Sequence, residues 1–173
     1  MTTTPDGYTT VAPWVVTKDT GALLDFVAAA FDGVELGRVA LADGSIGHAE
    51  IRVGDTVVLA FDQRDDWPDL PSLLRVFVPD ADVAFAAALR AGAREVTALS
   101  DSAFGQRGGR VRDPFGNIWW ITAVVETVAP EEGMRRLGEP RYREQMQFAQ
   151  ETLDAELGGR ARGRASEVIT ARP

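Results

Sequence analysis

One histidine, no cysteine and four tryptophans set the range of chemistry open to this chain. Without thiols there is no disulfide framework and no thiolate nucleophile, and His, Asp and Glu are the only common metal ligands left. Because His48 stands alone, a multi-histidine metal site is excluded. What the sequence does offer is flat rings near fixed positive charge. Trp14, Trp67, Phe77, Phe104 and Trp120 are spread along a chain that also carries Arg75 and Arg110. Aromatic faces and guanidinium donors together suit a planar ligand with an acidic or carbonyl edge, held by stacking and charge-assisted hydrogen bonds.

The element that must position the last of these residues is GRVRDPFGNIWWIT, Gly109 to Thr122. Asp113-Pro114 and Gly116-Asn117 are turn dipeptides between two runs of strand formers, which predicts a hairpin with a five-residue loop. Counting across that loop sets Arg112 opposite Ile118 and Arg110 opposite Trp120. Adjacent tryptophans on a strand face opposite ways, so one of Trp119 and Trp120 packs and the other looks into whatever the sheet encloses.

The rest of the chain falls into a repeated order. Val11 to Thr17 reads as a short strand, Asp19 or Thr20 can cap a helix over Thr20 to Phe31, and strands follow at Glu35 to Leu41, Ile46 to Val53 and Thr56 to Asp62. Trp67 lies in a proline-containing linker from Gln63 to Pro71. The order then recurs: a strand from Leu73 to Val78, an Ala-rich helix from Asp80 to Ala91, a strand from Arg94 to Leu99, and the hairpin. Both helices follow a strand ending in Asp, VTKD and VPD, which marks an internal duplication. The expected organisation is a flexible stretch 1–10, a βαβββ module 11–62, a linker 63–71, a second βαβββ module 72–126, a helical extension 127–157 and a disordered tail 158–173. In the extension, Pro130 opens a short helix with acids in its first turn. A longer helix from Pro140 to Leu157 carries Tyr142, Met146, Ala149 and Leu153 as one apolar stripe that needs a cover, either the body or a second subunit.

Composition bounds the function class. A 173-residue chain that is 45% hydrophobic can bury a core, and a net charge of −8 argues against nonspecific nucleic-acid binding. No apolar run approaches a membrane span and MTTTPDGYTT lacks the features of a secretory signal, so a cytoplasmic protein with no membrane partner is expected. The arginines of the tail could meet an anionic partner, although a frayed terminus explains them as well.

The two βαβββ units, the DPFGN turn and the Asp-terminated strands resemble the vicinal oxygen chelate superfamily, the glyoxalase and bleomycin-resistance group, over about Val11 to Val125. HAE-x-R-x-GD-x-V-x-L at His48 to Leu59 and RDPFG at Arg112 to Gly116 carry the resemblance further. It implies an α+β fold in which the two modules form a curved mixed sheet around a cavity. It also implies four metal-ligand positions, which fall here on Ala12, Val58, Leu73 and Trp120. None of these can bind a metal, so no metal and no cofactor are expected.

If those positions face inward, the pleat adds Trp14, Arg75, Phe77 and Thr122, and the hairpin register adds Arg110. The expected ligand-binding set is therefore Trp14, Trp67, Arg75, Phe77, Phe104, Arg110 and Trp120, with Trp67 and Phe104 contributed by loops. Two tryptophans filling a solid core is the competing reading. His48 lies opposite Phe61 in register and so on the face away from Val58, which this reading makes the helix-packed side, with Glu50 and Arg52 beside it. Trp67 could close over the pocket or pack at a dimer contact. Three functions remain open: a noncatalytic binder of a small planar aromatic compound, a metal-dependent lyase or dioxygenase with an unorthodox site, and a metal-free enzyme using His48 or Asp101. A homodimer is expected from the unpartnered helical stripe and from the resemblance.

Overall fold

A computed structural model describes residues 4, 5 and 7–158; the tail expected to be disordered lies almost wholly outside them. The first module runs β1 (Trp14–Thr17), α1 (Thr20–Phe31), β2 (Val34–Ala40), β3 (Ile46–Val53) and β4 (Thr56–Asp62). The second runs β5 (Leu73–Phe77), α2 (Ala81–Arg90), β6 (Arg94–Asp101), β7 (Gln106–Arg112) and β8 (Ile118–Val124), followed by α3 (Pro130–Arg136) and α4 (Pro140–Gly158). Each module forms its own four-stranded sheet, ordered β1-β4-β3-β2 and β5-β8-β7-β6. Both sheets are curved and open rather than merged into one. Among the described residues no helix is long and apolar enough to cross a membrane.

Local chemistry explains where the elements start and stop. Asp19 and Asp80 accept hydrogen bonds from the backbone N–H groups of Ala22 and Val83, so each caps the helix after a first strand. β1 is shorter than expected because Pro13 has no N–H to give; its carbonyl accepts from Leu59 N–H and the ladder begins one residue later. Strand β7 begins earlier than expected, because Gly105 turns with φ 71° and lets Ser102 and Gln106 close a tight β6–β7 hairpin.

The modules meet through their helices. Leu23, Leu24, Phe26, Val27 and Phe31 of α1 join Ala84, Phe85 and Ala88 of α2 in one buried cluster with Val111, Trp119 and Ile121. Burying each large apolar side chain of this kind contributes about 1.5–3 kcal/mol, so the shared core, not sheet pairing, joins the modules. Trp119 stacks on Phe31 with ring centroids 4.9 Å apart and donates its indole N–H to Asp113. The opposite face of each sheet, the open face, points away from this core.

The hairpin register is the expected one, with Arg112 opposite Ile118 and Arg110 opposite Trp120. Trp119 is 2% exposed and Trp120 39%, so the adjacent rings do divide between core and open face. The placement of His48 differs from the expectation. Ile51 pairs with Val58 as counted, but both side chains lie in the core, and His48, Glu50 and Arg52 point to the open face. The misphasing arose at β4, where Val57, Val58, Leu59 and Ala60 are all buried, so no alternation of polar and apolar residues marks which face is which. Leu59, paired with Trp14, stands on the open face where Val58 had been placed.

Candidate ligand-binding site

The open face of the second sheet is roofed. Helix α4 lies along β6, where Thr152 and Thr97 share a hydrogen bond at 2.7 Å, and Tyr142 is buried beneath it. Glu156, near the far end of α4, is paired with Arg94 and with the buried Arg112 of the hairpin. Of the apolar stripe of this helix, Tyr142 is buried and Ala149 and Leu153 are partly covered by the chain's own body, while Met146 stays exposed. Between roof and sheet is a cavity of about 450 Å³.

Trp120 forms its floor. Gly108 of the neighbouring strand lies beside the indole, where a Cβ would come 2.6 Å from the Ile121 carbonyl oxygen and 3.2 Å from Trp120 Nε1, so a side chain there would first strike the backbone of β8 and also crowd the ring. Strands on either side of β8 send a guanidinium over the ring: Arg75 from β5 at 4.1 Å and Arg110 from β7 at 4.7 Å from its centroid. Arg75 is also held by Gln106 Oε1 and Thr122 Oγ1, at 2.6 and 3.3 Å. Arg110 donates to the carbonyl of Ala149 in α4 and to Thr97 Oγ1. Phe104 forms a wall and packs against Gly133 of α3, where a side chain would strike its ring. Leu137, Tyr142 and Met146 close the roof.

The electrostatics follow from that burial. Neither Arg75 nor Arg110 has a carboxylate within ion-pair distance among the described residues. Burial lowers both guanidinium pKa values, and the charge of Arg75 lowers that of Arg110 further. Guanidinium groups nonetheless stay charged in proteins, so among the described residues the cavity holds two positive groups with no carboxylate paired to either. Such a pair favours an anionic or strongly accepting ligand edge, with the rings and Met146 offering apolar surface beside it.

Of the seven expected site residues, Arg75, Phe104, Arg110 and Trp120 line this cavity together. Phe77 does not line it; the residue is 59% exposed and reaches the site only through Arg75, which lies over its ring at 4.7 Å. Trp14 and Trp67 do not join them; they line a separate cleft on the open face of the first sheet. The reason is the helix-to-helix packing of the modules, which turns the two open faces away from a common core rather than toward each other. The roof residues Leu137, Tyr142, Gln145 and Met146 were not among those expected at the site. Tyr142 and Met146 were visible as members of the stripe at spacings of three and four, part of whose cover is the second sheet; Leu137 and Gln145 carried no such signal.

On the first sheet, His48 Nε2 lies 2.9 Å from Glu50 Oε1, and the imidazole meets Trp14 edge-on. The hydrogen bond to His48, and then one to Tyr8, holds the Glu50 carboxyl below the usual carboxylate range. Of the residues at the four metal-ligand positions, Leu73 and Trp120 lie on open-face rows of the second sheet and Val58 does not lie on an open face at all. With Leu59 in place of Val58 the set still offers no donor atom. Asp101 lines the cavity edge, where it is paired with Arg107.

Comparison with known proteins agrees with this architecture. The family model described as Glyoxalase/Bleomycin resistance protein/Dioxygenase superfamily matches residues 7–121. Uncharacterized proteins of Mycobacterium bovis and Mycobacterium tuberculosis are each 39% identical over 137 residues, which is 70% of this chain and 88% and 78% of theirs. TioX from Micromonospora sp. ML1 is similar in structure, with a TM-score of 0.55 and 26% identity over 70% of this chain and 98% of that one. The fosfomycin resistance protein FosX from Mesorhizobium loti shares the fold, with a TM-score of 0.52 and 14% identity over 74% of this chain and 98% of that one. Two βαβββ modules, the matching model and these relatives place the chain in the glyoxalase/bleomycin resistance protein/dioxygenase superfamily.

Proposed function

We propose that the chain is a noncatalytic binder of the sequestration or resistance type, taking a small planar aromatic compound with an acidic or carbonyl edge into the cavity under α4. The observation that carries this reading is the pair Arg75 and Arg110, both over Trp120 and both without a carboxylate partner. Arg110 is partly buried and Arg75, more exposed, lies beside it over the same ring; two like charges this close repel, and a ligand anion relieves that repulsion. Apolar residues at the positions that bear metal ligands in metal-dependent relatives support a binder over a Lewis-acid enzyme.

Titration of the purified protein with naphthoate and with the corresponding amide, followed by tryptophan fluorescence, tests the reading. Saturable quenching by the acid is expected, with Trp120→Ala weakening it by about tenfold or more and leaving the fold intact. No response to a broad panel of aromatic acids, together with marked destabilisation of Trp120→Ala, would mean that the indole serves only to fill space.

A further inference from the structure

The duplication allows the two open faces to be compared position by position, and their polarity is reversed. Trp14 and Arg75 are equivalent, each five residues before the Asp that caps the following helix, and they pair with Leu59 and Trp120. Those two are in turn paired with Glu50 and Arg110. Where the second module sets two guanidinium groups about an indole, the first sets an indole and a carboxylate about a leucine.

Around Trp14 the first module gathers more rings. Phe61 lies 5.3 Å from Trp14 at 69° between planes, and Trp67 lies 6.0 Å from Phe61 at 88°. Among the described residues all three line a cleft of about 610 Å³ with three aspartates against a single cation, Arg64: Asp65, Asp43, which accepts from Ser45, and Asp62, whose two oxygens accept from the Thr20 and Ile46 N–H groups. The three rings pack edge to face on one another along the cleft wall, and a wall of aromatic rings beside carboxylates attracts alkylated ammonium groups, whose charge cannot be satisfied by hydrogen bonds alone. Arg64 already holds its guanidinium over Trp67, 5.6 Å from the ring centroid. Glu50, kept ionised by His48 and Tyr8, adds negative charge on the Trp14 side. We propose that this cleft is a second small-molecule site, separate from the cavity under α4, and that it takes an organic cation of the quaternary-ammonium class.

The proposal does not depend on the aromatic-acid reading of the other cavity, and one calorimetric comparison tests it alone. Choline is titrated into the full chain beside 3,3-dimethylbutan-1-ol, which has the same shape without the charge. Choline is expected to bind saturably and the alcohol at least about tenfold more weakly, because only the cation gains from the ring faces. Trp14→Ala and Trp67→Ala should each weaken choline by roughly three- to thirtyfold, with the Phe variants retaining most of the affinity. Arg64→Gln, which removes the competing charge, should bind choline more tightly. Trp120→Ala and Arg110→Ala should leave choline binding unchanged, so a failure of the other cavity's reading does not touch this one. Equal binding of choline and the alcohol, absence of saturable choline binding, or loss of binding in Trp120→Ala instead of Trp14→Ala would each overturn the proposal.

Discussion

Arg110 donates to the main-chain carbonyl of Ala149 at 2.6 Å, so a guanidinium that faces the cavity also fastens the helix that roofs it. Under the proposed function, ligand binding and roof attachment draw on the same side chain. Replacement by Gln should weaken carboxylated aromatic ligands about tenfold while changing their neutral amides by no more than about threefold, since a charge-assisted bond is lost only with the acid. Parallel titrations of acid and amide into both proteins measure this; equal losses for both would assign Arg110 to roof attachment alone.

The far end of α4 is fixed by Glu156 against Arg94 and Arg112, and Arg112 is nearly buried. Glu156→Leu leaves that guanidinium without a counter-charge and should cost about 3–5 kcal/mol in denaturant unfolding. Its acid dependence has a definite sign. Arg94 first, and then Arg112, lower the Glu156 pKa in the folded protein, so its contribution is complete above the unfolded value near about 4.3 and lost as pH falls through the folded value. Exposed Glu132, lowered to about 2 by Arg135 and Arg136, follows the same direction. Melting temperature should decline below about pH 4, and less steeply in Glu156→Gln than in the parent.

Asp113 organises the hairpin loop. Its carboxylate accepts from the backbone N–H groups of Phe115 and Asn117, from the Asn117 amide and from the Trp119 indole, and the residue is almost fully buried. Asp113→Ala strands several buried donors at once, each costing about 1–3 kcal/mol, and a total loss of about 3–5 kcal/mol is expected. Equilibrium unfolding against Asp113→Asn, which retains an acceptor, gives the comparison; similar small losses for both would contradict the role assigned to the loop.

A homodimer remains our expectation, on a different footing from the one the sequence suggested. The stripe on α4 faces β6, but the edge strand β2 exposes Val34, Leu36 and Val39, with Leu41 just beyond it. An uncovered apolar edge of this kind invites pairing with another chain. Light scattering at micromolar concentration should give twice the mass of one chain, and Val39→Lys should halve it; a monomeric mass for the parent protein would refute the expectation.

Much of this architecture could be counted from the sequence. The Arg110–Trp120 pairing followed from a five-residue loop and needed no knowledge of packing. The first helix cap narrows in the sequence to Asp19 or Thr20 and proves to be Asp19, while Asp80, counted into the second helix, caps it instead. His48 could not be phased, because the strand beside it is buried on both faces and carries no alternation to count from. The separation of Trp14 from Trp120 was equally hidden. A sequence with two similar modules does not say whether they meet by their helices or by their open faces, and here Phe31 stacked on Trp119 decides for the helices. Residues of the roof were visible as a stripe, but a stripe names neither its partner nor the cavity formed against it.

Helix α4 begins at Pro140, beyond the 7–121 span that matches the family model. The sheets that supply Trp120 and the arginines belong to the inherited scaffold, whereas Tyr142, Gln145 and Met146 sit on an appendage. Under the proposed function, ligand preference can drift by substitutions at the cavity-facing positions of this one helix, so long as Glu156 and the Ala149 carbonyl keep it fastened to the sheet. For an engineer those few roof positions, rather than the strands, are the exchangeable part.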